Sequence, residues 1–177
     1  MGKISAQKPV KLITGFIFKD PQYYCKSKDL LASKFGSLDF ESADIPFNLT
    51  DYYASEFGRP LTRKFLSFKK LIPAQNLPEI KAYTNRLEER LSCRGKRQVN
   101  LDPGYLDLAK LILASTKDYA HRIYLGKGIF SEITLYFKDG SFTPWEWTYP
   151  DYRSAVYIEI FNKIRQAYAQ ELKKINK

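Results

Sequence analysis

One histidine and two cysteines in 177 residues leave little for metal chemistry. A zinc hydrolase centre needs paired histidine motifs that the lone His121 cannot supply, and Cys25 and Cys93 lie too far apart for a zinc spacing or a disulfide framework. No metal and no cofactor is expected, and both cysteines read as reduced and structural. No apolar run approaches the roughly 18 residues of a membrane span. The opening MGKISAQKPVK has no signal-peptide hydrophobic stretch, and Ala6 stands where myristoylation needs Ser or Thr. These absences point to a soluble cytoplasmic protein with no membrane partner. The common catalytic signatures are missing as well: no phosphate-binding P-loop, no G-x-G-x-x-G after a strand, no nucleophile elbow. Gly126-Lys127-Gly128 reads as a hairpin turn.

What is present is globular: 44% hydrophobic, 27% charged and 15% aromatic residues exclude disorder. At roughly 150 residues per domain the chain is one domain, with residues 1–8 a flexible start, 9–101 a first half and 102–177 a second. The formal charge of +10 is unevenly placed, because residues 59–97 hold eleven basic and three acidic side chains. Arg63, Lys64, Lys69, Lys70, Arg86, Arg90, Arg94, Lys96 and Arg97, with Arg59 and Lys81, make a nucleic-acid-binding face if the fold gathers them. The competing account is a set of solubilising side chains on a strand edge and a helix back.

Residues 9–18, PVKLITGFIF, read as a buried strand, and Asp20-Pro21 as the cap and first position of a helix that Gly36 ends. A second strand falls within SLDFESADIPF, a loop over 48–60, and a third strand over 62–72. Asn76 and Glu79 suggest a capping box for a helix with Leu77, Ile80, Leu87 and Leu91 inward, and a short strand follows near 98–101. That order predicts an α+β fold with a ferredoxin-like βαββαβ core. It is extended by a helix over 105–115, an antiparallel β-meander from Tyr119, and a C-terminal helix over about 154–174.

Symmetric pairing about the GKG turn sets Arg122 opposite Glu132 and Tyr124 opposite Phe130, on a polar face; His121, Ile123, Leu125, Ile129, Ile133, Leu135 and Phe137 form the apolar one. Arg122 then serves as a fork for a carboxylate or phosphate, held by Glu132, with Tyr124 as a stacking platform. A plain cross-strand ion pair is the alternative. Asp102, in a tight Asp-Pro-Gly bend, joins Lys110, Lys117 and the Trp147–Tyr152 segment around the same pocket, where Asp151 doubles as a possible helix cap. Three functions compete. One is binding of a phosphate-bearing ligand, RNA or a nucleotide, through the basic strip and the aromatic sheet face. The second is a small enzyme with Glu132 or Asp102 as base, Lys110 or Arg122 as anion stabiliser and His121 as proton carrier. In the third, the aromatic surface docks another protein. His121 also reads as a core-edge histidine with a hydrogen-bond partner.

The strings NLDPGYLDLAKLILAST, YAHRIYLGKGIFSEITLYF and WTYPDYRS, with PVKLITGFIF and FLSFKKLI, resemble a family of prokaryotic proteins, domain of unknown function 4416. The resemblance covers nearly the whole chain, and residues 100–152 are its most specific part. Some members carry a GTP-binding label, although no P-loop stands here. The family has no established reaction to transfer. Asn100, Asp102, Tyr105, Lys110, His121, Arg122, Tyr124, Glu132, Tyr149 and Asp151 fall on its motif positions, so the resemblance implies a site there. Tyr105 thereby joins Arg122, Tyr124, Lys117, Tyr149 and Asp151 as candidate ligand contacts.

Overall fold

All eight residues of β1 (Lys11–Phe18) are buried, as a β-branched and aromatic run of strand length requires, and the molecule is built outward from this strand. The computed structural model describes residues 2–4, 7–48 and 53–175; the expected flexible start falls partly on residues 1, 5 and 6, outside the described residues. Asp20 accepts a hydrogen bond from the Gln22 N–H (2.8 Å), Pro21 opens α1 (Pro21–Phe35), and Gly36 ends it with φ 101°. There follow β2 (Leu38–Glu41), β3 (Ile45–Pro46), a four-residue α2 (Ala54–Phe57) inside the stretch expected to be loop, β4 (Thr62–Phe68) and α3 (Leu77–Arg90). The second half holds β5 (Val99–Leu106), β6 (Lys110–Ser115), β7 (Ile123–Gly126), β8 (Ile129–Lys138), β9 (Ser141–Pro144) and α4 (Ala155–Ile175).

The strands form one antiparallel sheet in the order β2-β4-β1-β5-β6-β8-β7, with β3 beside β4 and β9 beside β8. Its first half runs β1-α1-β2-β3-α2-β4-α3-β5, with β1 between β4 and β5; only with the two-residue β3 and the four-residue α2 set aside does this reduce to the expected βαββαβ order. Side chains alternate across the strands. Leu12, Phe16 and Phe18 meet Tyr24, Leu31, Ile80 and Leu87 of α1 and α3 on one face. Ile13, Phe65 and Leu135 meet Tyr157, Phe161 and Ile164 of α4 on the other. Buried Lys11 ties β1 to both β2 and α4 through Asp39 (2.5 Å) and Glu171 (2.7 Å). No helix among the described residues is long and apolar enough to cross a membrane.

Several expectations are corrected. Residues 105–115 are not a helix but the end of β5, a turn over 107–109 and the whole of β6. Asp107 accepts from the N–H groups of Ala109 (2.7 Å) and Lys110 (2.8 Å), closing the chain into a hairpin, and Leu108 is left exposed. Asp-Pro-Gly is not a bend either: Asp102, Pro103 and Gly104 lie within β5, opposite Gly15, Thr14 and Ile13. Asn76 makes no capping hydrogen bond. Asp151 does not cap α4; Ser154 Oγ accepts from the Tyr157 N–H instead (3.3 Å). Both cysteines are free and exposed rather than structural. In β8 the strict alternation fails because Leu111 faces Leu135 while its neighbour Ile112 faces Ile133, so Thr134 is an extra residue. Such a bulge flips the faces that follow it. Ile123, expected on the apolar face, is exposed on the edge strand β7.

Candidate functional site

β5 pairs with β1 along its whole length but with β6 only at Gly104, Tyr105 and Leu106. Beyond Gly104 the two strands part, and backbone groups of β5 lose the partner strand that buried amides require. Helix α3 supplies the substitute. The Leu101 N–H donates to Glu88 Oε1 (2.6 Å), and the Leu101 carbonyl accepts from Lys81 Nζ (2.9 Å). Lys81 and Glu88 are two helical turns apart on α3, so one helix face closes the edge. A cleft of about 730 Å³ occupies the fork, between Asn100 and Asp102 of β5 on one side and the end of β6 with Glu132 on the other. Residues 149–152 cover it.

Arg63 of β4 is buried beside this cleft. Its Nη1 donates to Asp102 (3.0 Å), its Nη2 to Asp151 (2.8 Å), and its Nε reaches the Tyr157 hydroxyl (3.4 Å). The rings of Phe47, Phe65 and Tyr152 surround the guanidinium at 5.3–5.4 Å. Gly15 provides the clearance: a Cβ there would stand 3.1 Å from Arg63 Nη1 and 3.4 Å from the Tyr152 hydroxyl. Burial opposes the Arg63 charge, yet Tyr152, Asp102 and Asp151 outweigh it and hold its pKa well above the usual value. For Asp102, burial pushes the carboxyl up, but Arg63 and Lys81 prevail and keep it below the ordinary aspartate value, hence ionised. Glu88 behaves oppositely, because burial pushes it up further than Lys81, the Leu101 N–H and Arg97 bring it down.

Arg122 is a clamp. Its Nε donates to Glu132 (2.8 Å), its Nη1 to Ser115 Oγ (2.8 Å) and the Lys117 carbonyl (2.9 Å), and its Nη2 to the Tyr149 hydroxyl (3.0 Å). It thus joins β6, β8 and the cover. Glu132 also meets His121 Nε2 (3.2 Å) and the Thr134 hydroxyl (3.2 Å). His121 stacks on Trp147 at 5.7 Å, and Trp147 stacks on Trp145 at 5.1 Å. Arg97 is committed likewise, to Glu56 (2.7 Å) and Glu88 (2.9 Å).

Two buried groups of the cleft make no well-formed hydrogen bond among the described residues: Asn100 Nδ2, which is turned toward Asp102 and helps hold that carboxyl ionised, and the Tyr152 hydroxyl. Such groups cost about 1–3 kcal/mol each. Tyr152→Phe should therefore raise stability, by about 1 kcal/mol, read as a higher urea midpoint with an unchanged slope; a lower midpoint would show that the hydroxyl is satisfied. The Lys81 ammonium uses one donor on Leu101 and makes no ion pair among the described residues, which leaves two N–H groups. No group of three or more His, Cys, Asp or Glu side chains among the described residues is placed to hold a metal ion.

A family model, described as a domain of unknown function, matches residues 8–168. The chain belongs to the DUF4416 family. No curated protein and no solved structure matches it. In this DUF4416 chain the fold brings Asp102, Lys117, Arg122, Glu132, Tyr149, Asp151, Arg63 and Arg97 to one cleft, with His121 at its rim. Three others lie elsewhere. Lys110 pairs with Asp107 (2.9 Å) at the far end of β6, about 16 Å from Ser115 at the usual strand rise. Tyr105 packs beside Leu77 and Ile112, and Tyr124 is exposed on β7, its ring 5.1 Å from Phe130. Of the basic strip, Arg63, Lys81 and Arg97 line the cleft and the others are paired or exposed outside it. Lys64 pairs with Glu41 and Asp44 (3.1 and 2.9 Å), Lys69 and Lys70 are exposed beyond the end of β4, and Arg86, Arg90, Arg94 and Lys96 are exposed along α3 and the turn after it. Lys81 and Tyr152 were expected only as one member of the basic strip and one of the pocket segment, and Glu88 and Gly15 were not expected at the site at all. One signal was available for Lys81 and Glu88: they fall on the buried stripe of α3 beside Ile80, Thr84 and Leu87, where charge needs a reason.

Proposed function

We propose that this DUF4416 chain binds a small phosphate-bearing ligand of nucleotide size in the fork between β5 and β6, in a cytoplasmic setting. What carries the reading is the convergence of donors with capacity left in a cleft of about 730 Å³: Lys81 Nζ and the Tyr152 hydroxyl, with Asn100 Nδ2 beside Asp102. A phosphate oxygen accepts and never donates, so it answers that set, and the volume lies in the range of small-molecule sites. Lys81 is the cation for it, since Arg63, Arg97 and Arg122 make close ion pairs, while Lys81 acts on Glu88 and Asp102 through its charge without a direct ion pair among the described residues. A small ligand is favoured over an RNA strand because Arg63, Lys64 and Arg97 of the basic strip are already held by carboxylates. The enzyme reading has less support: Glu132 is held by Arg122, His121 and Thr134, and Lys110 lies away, so that of the two expected bases Asp102 alone keeps acceptor capacity beside the cleft.

Thermal shift against inorganic phosphate, sugar phosphates, nucleoside monophosphates and RNA oligomers tests this. A small phosphate compound at 100 times its Kd should add about 2.7 kcal/mol of stability, and Lys81→Met, tested on folded protein, should abolish the shift. No shift with any small phosphate, or an undiminished shift in Lys81→Met, would overturn the assignment.

A further inference from the structure

Donors alone would suit a bare anion, but the cleft also holds an acceptor. Asp102 lies on the same strand as Asn100, two residues along, so both side chains project from one face of β5. Its Oδ2 accepts from Arg63, and a quarter of the side chain remains open on the cleft. A carboxylate offers about four lone-pair positions, so acceptor capacity is left over beside Lys81 and Asn100. Arg63 and Lys81 keep this carboxyl ionised, which makes it an acceptor only. The Tyr152 hydroxyl, over Gly15 on the strand that pairs with Asp102, adds a group that can both donate and accept.

A phosphate seated on Lys81 and Asn100 is repelled by Asp102 unless the ligand places hydrogen-bond donors between them. Neutral groups that donate to a carboxylate while accepting from a tyrosine hydroxyl, within a few bonds of a phosphate, are alcohols. We propose that the ligand is a polyhydroxylated phosphate, a sugar phosphate or ribonucleotide, whose hydroxyl groups are read by Asp102 and Tyr152. The proposal rests on the phosphate reading above and adds the class of ligand. It gives Arg63 a purpose at the site: the guanidinium fixes the carboxylate that does the reading and is itself shielded from the ligand's charge. It also accounts for the buried Tyr152 hydroxyl, whose missing partner the ligand supplies.

The test is calorimetric titration of the full chain with methyl phosphate, ribose 5-phosphate, glucose 6-phosphate, and adenosine 5′-monophosphate beside its 2′,3′-dideoxy analogue. At least one hydroxyl-bearing probe should bind tenfold or more tightly than its hydroxyl-poor counterpart. Asp102→Asn should erase most of that preference while leaving methyl phosphate binding equal or stronger. Tyr152→Phe should lower the preference in a protein that folds at least as well, and it decides the matter if Asp102→Asn does not fold. Equal binding of hydroxyl-rich and hydroxyl-poor phosphates, or a preference that survives the substitutions, overturns the ligand class and leaves phosphate binding standing. Absence of binding by every phosphate removes both.

Discussion

Arg63→Met should cost about 3–5 kcal/mol of stability at neutral pH. The guanidinium is 3% exposed and is the ion-pair partner of both Asp102 and Asp151. Without it, two carboxylates remain in a low-dielectric pocket with no cation bonded to them, and the aromatic rings around it lose their central contact. Methionine fills much of the volume, so the loss isolates the charge. The effect has a pH signature. Asp102 is held below the ordinary aspartate value near 3.8, so it contributes stability that is present above that pH and lost as pH falls through its lower folded value. In the variant burial acts unopposed by Arg63, so protonation relieves it. The deficit measured by urea unfolding should therefore shrink as pH drops from neutral toward about 3. A deficit below about 1 kcal/mol, or one indifferent to pH, would mean that the pairs are solvent-screened.

Gly104→Ala should be nearly as damaging, at about 3 kcal/mol or more. A Cβ at this position would stand 2.2 Å from the Ile112 carbonyl oxygen and 2.8 Å from Leu113 Cδ2. Backbone cannot yield there as a flexible side chain could, because Gly104 opposite Leu113 is the last pair before β5 and β6 diverge. Relief would come only by separating the strands further, which breaks the pairing that holds the fork closed at its base. Thermal unfolding, with hydrogen exchange on the amides of residues 104–113, would register it; a wild-type midpoint with full protection would refute the close approach.

The order of elements in the first half was legible because its signals are local: an apolar strand, an Asp-Pro start, a glycine stop, and a second helix with its own apolar stripe. The misreading of 105–115 has a physical origin. Leu106, Leu111 and Leu113 pack toward α4 while Ile112 and Ala114 pack toward α3, so a strand covered on both faces shows no clean period of two. The same burial hid the role of Asp-Pro-Gly, a string that normally signals a turn. The hairpin register about residues 126–128 could be deduced, since Tyr124 does face Phe130 and Arg122 does reach Glu132. What could not be deduced is that Arg122 would have four of its five N–H donors occupied, or that a helix lysine and glutamate would replace a missing strand. Both depend on contacts between segments far apart in sequence, which no local pattern encodes.

The stacked indoles beside His121 have a practical side. Trp145 and Trp147 are the only two tryptophans in the chain, and they immediately precede the Thr148–Tyr152 segment that roofs the fork. Thr148 anchors that roof through its hydroxyl to the Thr134 carbonyl (2.6 Å), next to Trp147, whose Nε1 bonds to the Ile133 carbonyl (3.1 Å). The indole emission of the molecule, excited at wavelengths that tyrosine does not absorb, therefore originates at one spot beside His121. The roof that a solute would settle under is continuous in sequence with a built-in optical probe, so a shift of that segment on occupancy would be read without dye, tag or label.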